Sequence, residues 1–213
     1  WVRCQPNVGS PDDEVEDYLV TVTPSLDYGD APDTGAGTGT GNYNTTASDS
    51  GPSHLIVSNL RLGTVAPDGD SGTLQNAAAT ADDSDNSDDE DGVSSLPSVT
   101  TTSTSVPLTV SVFNNTGSNA TLACWIDFNR DGDFVDTGER ASATVSSSAS
   151  QQNVNLTFSG FAAPTAGTSY LRCRLANASG EVANQTGAAN SGEVEDYQLT
   201  IWVAPTYQLT KRL

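Results

Sequence analysis

Tyr197-Gln198-Leu199-Thr200-Ile201 sets Tyr, Leu and Ile on one face of an extended chain and Gln and Thr on the other, because successive side chains of a strand point to opposite sides. The same texture recurs along the chain. Thr, Val and Ser are abundant, and turn residues interrupt every apolar run within about ten residues, the rhythm of a β-sandwich. No stretch carries the 3.6-residue period of an amphipathic helix. Strands are expected at 18–22, 106–113, 120–128, 153–158, 170–175 and 197–203. The reading is an all-β protein, an antiparallel sandwich of Ig-like or Greek-key type.

Between residues 24 and 96 the texture changes. Residues 35–42 read GAGTGTGN, and 71–91 are almost wholly small or acidic. Composition alone would call this disorder. The motifs below favour a long, loop-rich lobe organised around calcium. GAGTGTG is no phosphate loop, since it lacks the preceding strand and following helix that would place it at a helix N-terminus.

The totals say why such a chain needs help to fold. Of 213 residues, 35% are hydrophobic and 7% aromatic, with no methionine, a thin core for the length. Against 8 basic residues stand 27 acidic ones, a net charge of −19. Nucleic acids and anionic membranes are bound mainly through Lys and Arg, so neither is an expected partner. Divalent cations are. No apolar run of membrane-spanning length occurs. The N-terminal Trp1-Val2-Arg3-Cys4 lacks the apolar region of a signal peptide, so the sequence reads as a mature piece or an excised slice.

A repeat organises the chain. Trp1-Val2-Arg3-Cys4-Gln5 matches Tyr170-Leu171-Arg172-Cys173-Arg174, and Glu14-Val15-Glu16-Asp17-Tyr18 matches Glu193-Val194-Glu195-Asp196-Tyr197. Each copy then continues as a strand, LVTV and QLTI. Residues 1–23 are therefore expected to be the C-terminal strands of a preceding module, 24–204 a complete module, and 205–213 a linker or the start of another. The short, proline-containing link Thr23-Pro24-Ser25-Leu26 predicts a fairly fixed orientation between modules.

Three acidic constellations carry the chemistry. In Trp125-Ile126-Asp127-Phe128-Asn129-Arg130-Asp131-Gly132-Asp133-Phe134, oxygen donors alternate at Asp127, Asn129 and Asp131, and Gly132 permits a sharp turn. This is how a calcium loop of EF-hand type begins. Glu139 falls one place late for the bidentate ligand, and the loop joins strands rather than helices. Calcium is expected at Asp127, Asn129, Asp131, Asp133 and Glu139. A second run, Asp82, Asp83, Asp85, Asp88, Asp89, Glu90 and Asp91, packs seven carboxylates into ten residues, whose mutual repulsion calls for counter-ions. A second calcium is expected there, a solvated acidic run being the plainer reading. The third set is Asp27, Asp30 and Asp33 with Glu193, Glu195 and Asp196, which either complete ion sites or cap backbone N–H groups.

The cysteines Cys4, Cys124 and Cys173 do not follow metal-ligand spacing, and the single His54 cannot complete a zinc site. Cys124 and Cys173 each fall in a predicted strand. Neighbouring or facing strands bring Cα atoms within about 7 Å, so a Cys124–Cys173 disulfide is expected, with two buried thiols as the alternative. Cys4 then pairs with a counterpart of Cys124 in a preceding module.

DYGDAPD at 27–33, His54 ahead of Leu62-Gly63, DDEDGV at 88–93, WIDFNRDGDF at 125–134 and SGEVEDY at 191–197 occur in one order. That order resembles the GEVEDY-type repeat modules of large bacterial surface and secreted proteins. The resemblance implies an extracellular β-sandwich repeat of adhesin-like or matrix-like proteins, with calcium loops at its acidic motifs. Asp13 stands where the first Gly of the tail motif falls in the first copy, and cysteines are no general feature of the family.

Enzyme chemistry lacks an inventory. A serine triad needs a His base beside a nucleophile, whereas His54 sits in Gly-Pro-Ser-His-Leu and reads as a packed or capping residue. The expected function is a calcium-stiffened extracellular repeat of an adhesin, stalk or filament, whose partners are neighbouring copies reached through residues 1–23. The alternative is a calcium-dependent module for carbohydrate, peptide or another cell-surface ligand, with Tyr28, Tyr43 and Trp202 as a stacking platform.

Overall fold

The computed structural model describes residues 2–4, 16–18, 25–81 and 88–206. Within them the chain is a β-sandwich. One sheet has five strands in the order Arg140–Val145, Ala120–Ile126, Gly167–Ala176, Glu193–Trp202 and Val99–Thr100. The facing sheet orders Gln152–Ser159, Ser105–Asn114 and Leu60–Leu62. Val106, Leu108, Val110 and Val112 point inward from the smaller sheet and meet Leu122, Cys124, Ile126, Leu171, Leu175, Leu199 and Ile201 from the larger. Each side chain of that size adds about 2–3 kcal/mol when fully removed from water.

The alternation that opened the sequence reading holds at 197–202. Leu199 and Ile201 are buried, Tyr197 is half-buried, and Gln198 and Thr200 are exposed. The strands predicted at 106–113, 120–128, 153–158, 170–175 and 197–203 form, with ends shifted by up to four residues; of the one predicted at 18–22, residues 19–22 lie outside the described residues. Arg140–Val145 escaped the reading, because RASATV offers little apolar contrast. Two pairings depart from the antiparallel expectation: Glu193–Trp202 runs parallel to Val99–Thr100, and Gly187–Ala189 runs parallel to Pro52–Leu55. Both partners arrive over long connections, which free strand direction from the constraint of a hairpin.

The lobe is more ordered than its composition promised. Leu26–Tyr28, Pro52–Leu55 and Gly187–Ala189 form a small sheet, and Thr38–Gly39 pairs with Asn42–Tyr43. The lobe lies on the outer face of the large sheet, where Ala31, Tyr43 and Ala79 pack with Ala123, Trp125, Phe134 and Tyr170. The two central strands are thus covered on both faces, and ATLACWI and SYLRCRLA read as runs rather than alternations.

Cys124 and Cys173 are direct partners in the central ladder and are joined in a disulfide, with Cα atoms 4.1 Å apart. The expected bridge is present, between adjacent strands.

The repeat extends to strand register. In the large sheet Leu171 pairs with Tyr197, Arg172 with Asp196 and Cys173 with Glu195. In the N-terminal ladder of Val2–Cys4 with Glu16–Tyr18, Val2 pairs with Tyr18, Arg3 with Asp17 and Cys4 with Glu16. The ion pairs repeat as well: Arg172 Nε meets Asp196 Oδ1 at 2.6 Å and Arg3 Nε meets Asp17 Oδ1 at 2.7 Å. Surroundings differ. Side-chain exposure is 0% for both members of the first pair and 68% and 45% for Arg3 and Asp17. Val20, Val22, the link at 23–24, the Cys4 side chain and residues 207–213 lie outside the described residues.

Candidate metal centre

The loop from Asp127 to Glu139 links the Ala120–Ile126 strand to the edge strand Arg140–Val145. Gly132 has φ +93°, and a Cβ there would sit 1.7 Å from the Gly39 carbonyl oxygen, so the turn needs glycine on both counts. The Thr40 hydroxyl donates to the Arg130 carbonyl at 2.9 Å, tying the loop to the lobe.

Among the described residues, ligand oxygens of Asp131, Asp133 and Asp136 all lie within 4.8 Å of one another. Asn129 Nδ2 donates to Asp131 at 2.8 Å and to Asp136 at 2.5 Å, which places its amide at the same cluster. Of the five expected ligands Asp131 and Asp133 bring oxygens together, and Asn129 meets them through its amide nitrogen while its Oδ1 accepts from Asp131 N at 3.0 Å. Asp136 joins them where the sequence reading set Glu139. The loop's own cation turns away: Arg130 Nε and Nη1 donate to the carbonyls of Thr168 and Ala166.

Asp127 and Glu139 are buried beneath this cluster. Asp127 accepts from the Tyr43 hydroxyl at 2.7 Å and from the backbone of Arg130 and Gly132. Burial raises its pKa. Glu139 accepts from Phe128 N at 2.8 Å, and burial, with Asp127 and Asp136 nearby, pushes it up to about 8. A cation beside them would lower both, since an opposite charge favours the ionised form.

The remaining acidic motifs meet at the other end of the large sheet. Asp82, Asp83 and Asp85 lie outside the described residues. Asp88 is exposed, Asp89 is buried, and Glu90 and Asp91 are half-buried. Asp89 accepts from Asp68 N, and Asp91 accepts from the Thr64 backbone and hydroxyl. Glu195 accepts from Gly92 N and the Tyr197 hydroxyl, Glu193 from Leu62 N, and Asp27 from Val194 N. Burial raises Glu193 well above the carboxylate range, with Glu195, Asp27 and Asp89 adding to it. Burial likewise pushes Glu195 up to about 8, with Asp91 and Asp89 contributing. Three motifs far apart in sequence thus share one electrostatic neighbourhood. They cap backbone donors, the second of the two roles the sequence allowed them.

Arg172 and Arg174 face away from Glu193 and Glu195, because side chains of consecutive residues leave a strand on opposite faces and Cys173, between them, pairs with Glu195; of this group Asp27 lies within the electrostatic reach of Arg174. Their partners lie under the lobe. Asp196 accepts from Arg172 Nε and Nη2 and from Asp30 N and Ala31 N, all within 3.0 Å. Arg174 Nε donates to His54 Nε2 at 2.9 Å, so His54 carries its proton on Nδ1 and donates to the Ser191 carbonyl. Burial, then Arg174, depresses His54 to about 3. The lone histidine is a packed, neutral core residue, as its context predicted.

The stacking platform is not formed. Tyr43 is buried with its ring between Phe134 and Tyr170, at centroid distances of 5.1 and 4.8 Å, because its hydroxyl reaches inward to Asp127. Trp202 is 62% exposed at the far end of its strand.

No curated protein matches the chain. The family model described as the GEVED domain matches residues 121–200. That span starts in the Ala120–Ile126 strand and takes in the acidic loop, the disulfide and the Glu193–Trp202 strand. Over that span the motif resemblance is borne out: residues 121–200 are similar to the GEVED domain.

Proposed function

We propose that the chain is a calcium-stabilised structural repeat of an extracellular adhesin, stalk or filament. The observation that carries this reading is the gathering of Asp131, Asp133, Asp136 and Asn129 on a glycine-pinned loop whose arginine faces elsewhere. Carboxylate and amide oxygens are the donors a hard cation takes, and calcium accepts six to eight of them in flexible geometry. Bound there, the ion would neutralise the loop and lock it against the lobe. A second ion is proposed at the 82–91 run, near Glu193, Glu195 and Asp27. The disulfide supports an oxidising compartment, and among the described residues no helix is long and apolar enough to cross a membrane.

The matched register of the two Arg–Asp pairs supports the array. Arg3 and Asp17 stand as Arg172 and Asp196 would without their lobe, so residues 1–23 are proposed as the last strands of a preceding module. Their burial against another copy would complete it.

The test is thermal melting in calcium and in EDTA. A ligand at about 100 times its Kd adds about 2.7 kcal/mol, roughly 5–10 °C for a chain this size. Parent protein should lose at least that margin on chelation, and Asp131→Asn should show a smaller gap between the two buffers than the parent. Identical curves for the parent in calcium and EDTA would end the calcium reading. Native mass spectrometry with only one calcium per chain would remove the second ion.

A cleft of about 400 Å³ favours a second reading. Its walls include Phe128, Phe161, Asn129, Asp136 and Glu139, and the two phenyl rings stack at 3.8 Å. An apolar wall beside a proposed calcium is the arrangement of a carbohydrate- or peptide-binding module. Calcium-dependent retention on immobilised polysaccharide, lost in Phe161→Ala, would select it over the spacer.

A further inference from the structure

The glycine-rich stretch 35–42, excluded above as a phosphate loop, folds into a short hairpin pressed against the acidic loop. Thr38 pairs with Tyr43 and Gly39 with Asn42. Asn42 gives the stretch its shape. Its Oδ1 accepts from Thr34 N at 2.7 Å and Gly35 N at 3.2 Å, and its Nδ2 donates to the carbonyls of Gly35 and Gly37 at 2.8 and 2.7 Å. Tyr43 N donates to the Pro32 carbonyl at 2.8 Å. The hairpin is thereby anchored in its own lobe, and it brings three groups to one loop.

Those groups meet the loop between Asp127 and Phe134. The Gly39 carbonyl oxygen lies where a side chain at position 132 would fall, 1.7 Å from its Cβ. The Thr40 hydroxyl donates to the Arg130 carbonyl at 2.9 Å. Tyr43, only 2% exposed, packs its ring on Phe134 and donates its hydroxyl to Asp127 Oδ2 at 2.7 Å. Asp127 passes the restraint on, because its Oδ1 accepts from Arg130 N and its Oδ2 from Gly132 N at 3.0 Å. Those two N–H groups flank Asp131. The backbone that carries Asp131 is fixed by Asp127, and Asp127 is fixed by Tyr43.

The loop needs that restraint. Oxygens of Asp131, Asp133 and Asp136 lie within 4.8 Å of one another, and like charges at that range oppose their own gathering. Without support from behind, the loop would open, and a cation would have to order it again on binding, which weakens affinity. We propose that Tyr43 is a positioning residue for the cation site at 129–136, and that the 38–43 hairpin is a clasp through which the lobe sets the affinity of that site. The inference rests on the calcium reading above. Tyr43 acts through Asp127 rather than as a ligand. Coupling between two elements is reciprocal, so an ion that gains from the clasp must also tighten it.

The experiment titrates calcium into EDTA-treated, desalted protein at a temperature where every variant is folded, following the amides of 129–136 by 1H–15N NMR. Tyr43→Phe keeps the ring and removes the hydroxyl. Loss of a partner that orients the groups around a metal weakens binding by about 10–100-fold, and the calcium Kd should rise by that factor. Thr40→Ala, at an exposed position, should raise it in the same direction by a smaller factor. Val110→Ala trims a buried residue of the small sheet, outside hairpin and loop. It should lower the melting temperature in EDTA and leave the Kd unchanged, which separates positioning from a general loss of stability. Amide hydrogen exchange at 39–43 should slow with calcium in the parent, and slow less in Tyr43→Phe. The proposal is overturned, with the calcium site left standing, if Tyr43→Phe matches the parent's Kd, if Val110→Ala raises it as much, or if exchange at 39–43 is indifferent to calcium. A parent whose 129–136 amides ignore calcium removes the calcium reading and this inference with it.

Discussion

Asp196→Asn removes one negative charge from a buried network and leaves its shape intact. Asp196 and Arg172 have no exposed side-chain surface, and the carboxylate also accepts from the backbone N–H groups of Asp30 and Ala31 at 3.0 and 2.9 Å. Asparagine can retain part of that acceptor set through its carbonyl, but it leaves the Arg172 guanidinium uncompensated. Breaking a buried pair at one end costs about 3–5 kcal/mol. Any backbone N–H left unpaired adds about 1–3 kcal/mol. A loss of about 4 kcal/mol is therefore expected, a large share of the ~5–15 kcal/mol typical of a whole domain. Urea unfolding with the disulfide intact measures it, as a fall in midpoint at constant slope. The chain carries its own control, because Asp17→Asn breaks the same motif pair where both partners face water. Exposed pairs contribute little, and Asp17→Asn should leave the midpoint unchanged. If the two substitutions lower the midpoint equally, or if Asp196→Asn costs less than about 1 kcal/mol, burial is not what gives this pair its weight.

Reduction of the Cys124–Cys173 bridge frees a loop closed over a sequence separation of 49, for which chain entropy gives a loss of about 4 kcal/mol; a Cys124→Ala/Cys173→Ala variant with the parent's unfolding midpoint would contradict this. His54, depressed to about 3 from 6.5, takes up its proton only in the unfolded chain between those values. Its share of stability is complete above pH 6.5 and is lost as pH falls toward 3, a slope that His54→Gln should flatten in pH-dependent melting. Glu195 works the other way in EDTA. With its folded pKa near 8 against an ordinary 4.5, its share is complete below pH 4.5 and is lost as pH rises through 8. Glu195→Gln should remove that decline, and calcium should shrink it if the ion sits near this carboxylate. Finally, Gly132→Ala forces a Cβ against the Gly39 carbonyl at positive φ and should destabilise by more than about 1 kcal/mol; a neutral result would mean that loop and lobe are not in contact.

Much of the fold was legible because period-2 patterning survives wherever a sheet has one wet face. Ser105–Asn114 alternates strictly over most of its length, and its inward set is the core. Among the strands not expected, Arg140–Val145 lies at a sheet edge and carries small and hydroxylated side chains, so no contrast announced it. Of the acidic motifs, the loop at 127–139 was readable because its donors are local: Asn129, Asp131 and Asp133 lie within five residues and one turn gathers them. The step from Glu139 to Asp136 was not readable, since it depends on where the chain bends back into the edge strand.

The sequence by itself determined the strand alternation, the repeat of Arg-Cys and Glu-Val-Glu-Asp-Tyr motifs, the disulfide candidates and the loop whose donors recur every second residue. All of these are properties of neighbours along the chain. Only the tertiary structure decided that Asp27, Asp89, Glu193 and Glu195 share one neighbourhood and that Tyr43 turns inward to Asp127. Those arrangements reach across 84 positions, Tyr43 to Asp127, and across 166 positions, Asp27 to Glu193. Tyr43 reaches Asp127 because the lobe folds back over the outer face of the large sheet, whereas Glu193 and Glu195 meet the 89–92 segment and Leu62 on that sheet's other face. Local patterning reports which face of a strand is dry, and burial by a distant segment decides which charge is left to be neutralised.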